Sequence, residues 1–321
     1  MTEFDNHRSK GITNALKLMD DLKRIHYECD EIYDYKSFTT FEQFNEVAAK
    51  ISGNISKTIL VASAIQNTQK FPNGYTRNEA TIVGLMTKIS KDFKRVHNAF
   101  CDDDSEVSAV FDRMLIESGT RLRHLIQSDE SERTNFRKSS YRSRVGAMVE
   151  METFTPPPQM LNSKTRLKES ILSKLKDDGF VYDELKTMNS SDWSKLNKDF
   201  RALQKDFDKR NVYSLTYGIS SDKIHGSWQE LIEHHLKEKD GFLIPEYSMF
   251  PVDPRFISPI ANLCLDFLVE YLKWTEADVE AFFMLISDLK RVNAILTSEF
   301  EKFFHKWHTE ELKNEQDRDS T

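Results

Sequence analysis

The chain has 321 residues, a formal net charge of -7, 30% charged residues, and only 10 glycines and 8 prolines. This composition favours a soluble helical protein, and the negative charge argues against broad electrostatic binding of nucleic acid while leaving room for a local basic patch. Three widely spaced cysteines without a CxxC motif predict neither a zinc site nor a redox site. We therefore expect a cytoplasmic protein with no membrane span, no metal and no cofactor.

The first half of the chain shows helical periodicity. Apolar residues recur with a period of 3.6 over residues 41–59 and 82–100, which predicts two helices separated by the turn FPNGY. The stretch CDDDSE, residues 101–106, is expected to end the second helix and cap the next, because Asp and Ser accept hydrogen bonds from free N–H groups. Residues 107–150 then predict two more helices, interrupted near QSDESE.

The run TPPP, residues 155–158, is the strongest predicted boundary, because a run of prolines cannot continue a helix. It divides the chain into an N-terminal helical half, residues 1–154, and a C-terminal helical half, residues 159–321. We expect the two halves to form one compact body.

The last third predicts an ordered loop over residues 241–259, followed by helices over residues 260–273 and 276–308. No segment shows the period-two pattern of β-branched residues that marks a strand. The fold class is therefore predicted to be all-α, a helical bundle.

Charged residues border the apolar stripe of the helix over residues 107–126. Arg113, Glu117, Arg121 and His124 fall within a narrow arc of this helix. One interpretation is an exposed ladder of i,i+4 ion pairs, each worth a few tenths of a kcal/mol. The other is a polar site between helices, where the arginines stabilise an anion and Glu117 holds them in place.

The stretch RTNFRKSSYRSR, residues 133–144, is basic in an otherwise acidic chain. On one continuous helix Arg133, Arg137 and Arg144 align, with Tyr141 near them. This pattern is typical either of a phosphate-contacting stripe with a stacking ring or of a solvated basic face.

The stretch YSLTYGISSDKIHGS places Tyr213, Tyr217, Ser221 and His225 at four-residue intervals. On a continuous helix these side chains drift slowly around one face. They are candidates to line a site, with His225 as its catalytic residue.

His225 precedes a capping box, in which Ser227 caps the next helix and Glu230 reaches back. The partial positive charge at a helix N-terminus favours a neutral imidazole, which can accept a proton as a general base. Alternatively, the ring bonds to Tyr217 or the backbone and fixes the junction between the helices.

The stretch RMLIESGTRLRHLIQSDESERTNFRKSSYRSR resembles the core of a bacterial family of helical proteins of unknown function related to the HEPN superfamily. Members carry an R-x-x-x-E pair, here Arg113 and Glu117, then an acidic turn and a basic helix. Their C-terminal motif of Tyr and Ser before His-Gly-Ser is similar to the stretch that contains His225. The resemblance covers residues 78–236.

This resemblance implies an HEPN-like core, to which the chain adds extra N- and C-terminal helices, and association with RNA or a nucleotide in a bacterial defence or stress system. HEPN ribonucleases carry an Arg four to six residues before the His, whereas here Lys223 is the only cation in the stretch GISSDKI. The hypothesis is metal-independent RNA cleavage in which His225, Arg113, Glu117 and Arg121 are the candidate catalytic residues. The alternative is a non-catalytic scaffolding protein whose long helices form a homodimer.

Overall fold

The computed structural model describes residues 20, 23–25, 33–153, 161–189, 194, 196, 228, 231–232, 235–239, 241–248, 252–277 and 280–319. Helices dominate these ranges, and the prediction of an all-α protein is confirmed. In chain order the helices are α1 (Phe41–Ser63), α2 (Arg77–Cys101), α3 (Ser105–Gln127), α4 (Glu130–Ser139), α5 (Arg142–Thr153), α6 (Leu161–Asp177), α7 (Tyr182–Thr187), α8 (Pro254–Thr275) and α9 (Glu280–Asp319). A 3-10 helix (Tyr35–Ser37) precedes α1, and strands β1 (Leu236–Lys239) and β2 (Phe242–Pro245) lie between α7 and α8.

The β-hairpin lies where the sequence indicated no strand. Strands β1 and β2 pair antiparallel, with Leu236 opposite Pro245 and Lys239 opposite Phe242. Gly241 in the turn has a φ of 80°, a value that residues with a side chain rarely adopt. The Asp-Gly dipeptide before Phe242 is a common hairpin turn sequence, so the expectation of no strand was wrong here.

Aspartates cap the starts of α3 and α8. Asp104 accepts a hydrogen bond from the Val107 N–H at 2.9 Å, as the sequence predicted for this junction. Asp253 accepts from the Arg255 N–H at 2.8 Å, and Pro254 stands at the first helical position, where a missing N–H costs nothing. Helix α8 therefore begins before residue 260, the predicted start, and the expected loop is shorter.

The main hydrophobic core lies between α1, α2, α3, α8 and α9, so both halves of the chain contribute to it. The stripe predicted on α2 faces this core, with the buried residues Ile82, Met86, Ile89, Phe93, Val96 and Phe100. The predicted boundary at residues 155–158 lies outside the described ranges. No helix within those ranges is long and apolar enough to cross a membrane.

A smaller hydrophobic cluster joins α5, α6 and α7 beside the main core. Its buried residues are Tyr141, Val145, Met148, Ile171, Leu175 and Leu185. The sequence predicted two helices over residues 107–150, and the structure contains three. A second break separates α4 from α5, and Tyr141 lies in that break.

Candidate functional site

Arg113, Glu117 and Arg121 form a ladder of ion pairs along α3. Arg113 Nε lies 3.2 Å from Glu117 Oε1, and Arg121 Nη2 lies 3.5 Å from Glu117 Oε2. The three side chains keep 25%, 26% and 38% of their surface exposed, in chain order. The sequence left open a ladder or a polar site. The structure contains the ladder, and its three side chains are partly exposed.

A second shared carboxylate, Asp92, lies on α2 and was missed by the sequence reasoning. Its side chain is only 1% exposed, yet it pairs with Lys88 and with Arg95, whose Nη1 lies 2.6 Å from Oδ1. The two cations keep 42% and 54% of their surface exposed, so they bridge a buried carboxylate to solvent. The i,i+3 and i,i+4 spacings in KISKDFKR were the available signal.

An open groove of about 520 Å³ runs along the solvent-facing side of α2. Its lining consists of charged residues (Lys88, Lys91, Asp92 and Arg95), small or apolar residues with one threonine (Ala80, Val83, Gly84, Thr87 and Met114), and the aromatic Tyr75. Arg121 follows Met114 by seven residues, so it projects from the same side of α3, about two turns farther along. Arg121 of the ladder and the groove-lining Met114 therefore lie on the same side of α3.

Arg133, a predicted phosphate ligand, is bound to the end of α3. Its Nε donates to the Leu125 carbonyl at 2.9 Å, and its Nη1 lies 3.0 Å from Glu130 Oε1. The Leu125 carbonyl, which also accepts from the Ser128 N–H at 3.4 Å, thus has a second donor at the end of α3. Only 12% of the Arg133 side chain is exposed.

Arg137 and Tyr141 meet at Asp178, just after α6. Arg137 Nη2 donates to the Asp178 carbonyl at 2.8 Å and to Oδ1 at 3.1 Å, and its guanidinium lies 4.9 Å from the Phe180 ring centroid. The Tyr141 hydroxyl donates to Asp178 Oδ2 at 2.7 Å. Burial, together with this hydrogen bond, raises the pKa of Tyr141 to about 12. These contacts tie α4 to the end of α6.

Arg144 is exposed, with its guanidinium 5.9 Å from the Tyr141 ring centroid. Because the helix is interrupted between α4 and α5, Arg133, Arg137 and Arg144 do not lie on one continuous helix. Among these three arginines, Arg144 is the one whose side chain is directed to solvent.

A buried hydrogen-bond network joins α3, α4 and the residue Ser194. His124 Nε2 lies 3.0 Å from Glu132 Oε1, and the Ser194 hydroxyl donates to the same oxygen at 2.6 Å. The Ser194 N–H donates to the Ser139 hydroxyl at 3.0 Å. The shared acceptor fixes the position of Ser194 against α4, and it joins His124, which the sequence grouped with the ladder, to α4.

Tyr213, Tyr217, Ser221 and His225 lie outside the described residues. The prediction that His225 and Arg113 act together as catalytic residues therefore stays a prediction. Within the described part of the chain, no group of three or more His, Cys, Asp or Glu side chains is placed to hold a metal ion.

A family model described as a family of unknown function (DUF5677) matches residues 79–243, which is over half of the chain. The chain belongs to this family. The family match runs from the first turn of α2 into β2 and includes the ladder, the stretch that contains His225, and the groove lining except Tyr75. It also covers nearly the same residues as the resemblance to a bacterial family of unknown function. No curated protein and no solved structure matches the chain.

Proposed function

We propose that this protein is an RNA- or nucleotide-associated factor whose phosphate-binding face lies on α2 and α3. One observation carries the proposal: two carboxylates on adjacent helices are each shared by two cations. The two sets are Asp92 with Lys88 and Arg95, and Glu117 with Arg113 and Arg121.

Each shared carboxylate neutralises one of its two cations, so each set of three side chains keeps a net positive charge. A Lys ammonium carries three N–H donors and an Arg guanidinium carries five, so each can donate to more than one acceptor. Charge-assisted hydrogen bonds to phosphate oxygens are among the stronger ones in proteins, and arginine matches phosphate geometry well. In a chain of net charge -7 this positive face directs an anion to one place.

The sequence resemblance extends the proposal to an HEPN-like core, to a bacterial defence or stress system, and to metal-independent RNA cleavage. In that reaction His225 takes the proton of the 2'-hydroxyl, and the 2'-oxygen bonds to phosphorus. The bond from phosphorus to the 5'-oxygen then breaks and the 5'-oxygen takes a proton from water, which gives a 2',3'-cyclic phosphate and a 5'-hydroxyl. Arg113 or Arg121, held by Glu117, stabilises the charged phosphorus centre.

Incubation of the purified protein with mixed RNA in EDTA tests the cleavage step. We expect wild-type cleavage to be lost in His225→Ala and in Arg113→Ala. Circular dichroism should stay unchanged in His225→Ala, because the predicted capping box of Ser227 and Glu230 remains. Equal cleavage by wild type and His225→Ala contradicts the proposed catalytic role, whereas a wild type that neither cleaves nor binds RNA or nucleotides contradicts the proposed function.

A scaffolding role is the second candidate, and the exposed hairpin favours it. Phe242, Leu243 and Tyr247 keep 75%, 48% and 88% of their surface exposed. Exposed apolar surface of this kind often marks a protein-protein interface. Light scattering after size-exclusion chromatography tests the homodimer: the double variant Phe242→Ser/Tyr247→Ser should shift a dimer to a monomer, and a wild-type monomer at high concentration excludes this version of the role.

A further inference from the structure

We infer that the groove on α2 is the binding site for a single strand of RNA, whose sugar-phosphate backbone lies along Lys88, Lys91 and Arg95. This inference rests on the proposed function and names the place and the form of its ligand. At a rise of about 1.5 Å per residue, the lining from Ala80 to Arg95 extends over about 22 Å of helix. A strand stacked at about 3.4 Å per nucleotide would place about six nucleotides along this length.

The cations along the groove form a regular row. Lys88, Lys91 and Arg95 lie on successive turns of one helix face, about 5 Å apart along the axis. A repeating row of positive charge matches a repeating phosphate better than it matches one isolated phosphate group. Asp92 holds Lys88 and Arg95 in place from below, so these side chains lose less conformational freedom when they bind.

An aromatic side chain, Tyr75, belongs to the lining before the start of α2. Its ring centroid lies 4.8 Å from that of Phe71 and 6.4 Å from that of Trp274, in a stacked arrangement with the latter. These two neighbouring rings restrain Tyr75. A basic groove combined with a fixed aromatic ring is the arrangement by which proteins bind single strands without sequence preference.

Gly84 keeps the middle of the groove open. A glycine in a helix interior costs about 1 kcal/mol relative to alanine. A β carbon at position 84 would meet no atom within 4 Å, so the packing of the protein does not require glycine there. A strand that passes along α2 at this point would gain from the missing side chain.

The test fills the groove without changing any charge. Gly84→Gln and the matched control Gly146→Gln, on α5, both add the same side chain where a β carbon meets no neighbour within 4 Å. Binding of a fluorescein-labelled ten-nucleotide oligouridylate is measured by anisotropy. We expect Gly84→Gln to raise Kd at least tenfold, Gly146→Gln to leave it unchanged, and thermal unfolding to show that neither variant is less stable than wild type.

A charge variant tests RNA binding in the groove independently. Lys91→Glu should weaken binding about tenfold and reduce the slope of log K against log salt by about 0.7, the value for one phosphate contact with a single strand. Lys306→Glu on α9, also at an exposed position, is the control and should change neither quantity.

Three outcomes overturn the inference, and each is distinct from failure of the proposed function. Wild-type affinity in Gly84→Gln shows that the strand does not pass along the groove at Gly84. Weakening by Gly146→Gln alone places the RNA on the surface of α5. Equal competition by uridine monophosphate or by a duplex of the same length shows that the groove does not select a single strand. If the wild type binds neither RNA nor nucleotide, the proposed function itself has failed.

Discussion

Gly119 on α3 faces the ring of Phe267 on α8 so closely that a β carbon at position 119 would lie 1.9 Å from two ring atoms. Both residues are buried in the middle of the bundle. The missing side chain at Gly119 therefore sets how closely α3 and α8 approach. Beside this contact, the guanidinium of Arg123 lies 4.7 Å from the Phe267 ring centroid, and Arg123 Nε lies 2.8 Å from Glu270 Oε1.

Gly119→Ala should destabilise the protein strongly. The added methyl group forces either the Phe267 ring from its rotamer or the two helices apart, and overpacking of a core typically costs about 1–3 kcal/mol. Because the clash involves three ring atoms, we expect a loss at the upper end of this range. Urea denaturation followed by circular dichroism measures it.

Gly146→Ala is the control, because a β carbon there meets no atom within 4 Å. It should stabilise the protein by up to about 1 kcal/mol through helix propensity alone. A Gly119→Ala variant as stable as Gly146→Ala would show that α3 and α8 do not pack at this distance.

The two shared carboxylates predict different responses to loss of their cations. In Lys88→Gln/Arg95→Gln the buried Asp92 keeps its charge without cationic partners, which costs about 3 kcal/mol or more. In Arg113→Gln/Arg121→Gln the carboxylate of Glu117, 26% exposed, is partly hydrated, and the cost should be about 1 kcal/mol.

A third change separates lost charge pairing from lost packing. Adding Asp92→Asn to the Lys88→Gln/Arg95→Gln variant removes the uncompensated charge and should restore part of the stability. Equal losses in the two double variants, or no recovery with Asp92→Asn, would contradict a buried, charged Asp92.

Helices α1 and α2 could be predicted because the information lies in their own apolar period. The burial of Asp92 could not be predicted, because an acidic residue among Lys88, Lys91 and Arg95 has the pattern of a solvated helix face. Its burial depends on the packing of α8, whose Cys264 lies near enough that the charge of Asp92 contributes to raising the thiol pKa, after burial and Asp112. A partner so distant along the chain leaves no periodic signal.

The contacts of the basic stretch, residues 133–144, could not be predicted for the same physical reason. Arg133 binds the carbonyl of Leu125, and Arg137 binds Asp178 beyond α6. Contacts from a side chain to the end of a neighbouring helix require the tertiary arrangement, so the sequence could show the charges but not their partners. The ladder of Arg113, Glu117 and Arg121 could be predicted because its contacts lie within one helix.

The raised pKa of Tyr141 predicts a loss of stability at alkaline pH. Its pKa is raised from 10.0 to about 12 in the folded protein by burial and by the bond to Asp178. A raised folded pKa stabilises the protein fully below pH 10, and this contribution is lost as the pH rises from 10 through about 12.

Tyr141→Phe should lower the free energy of unfolding by about 1 kcal/mol at pH 7 through the lost hydrogen bond. It should also reduce the fall in stability between pH 10 and 12, the window set by the shift. Thermal melts over that window check both effects, with Tyr247→Phe, 88% exposed, as the control. If stability depends on pH in Tyr141→Phe as it does in wild type, the pKa of Tyr141 is not raised by folding.

The lowered pKa of His97 predicts a loss of stability at acidic pH. Burial lowers its pKa from 6.5, and the charges of Lys57 and Lys94 lower it further. Its Nδ1 lies 2.9 Å from the Ser52 hydroxyl. Since the unfolded chain binds a proton at a higher pH than the folded protein does, the contribution is present above pH 6.5 and is lost as the pH falls below it.

His97→Gln should therefore flatten the dependence of stability on pH below 6.5. The variant keeps a polar group that can bond to Ser52, so its stability at pH 8 should change by less than about 1.5 kcal/mol. Urea midpoints at several pH values between 4.5 and 8 measure the profile, and His305→Gln, at an exposed position on α9, is the control. A His97→Gln profile that keeps the wild-type slope below pH 6.5 would show that the folded protein protonates His97 as readily as the unfolded chain does.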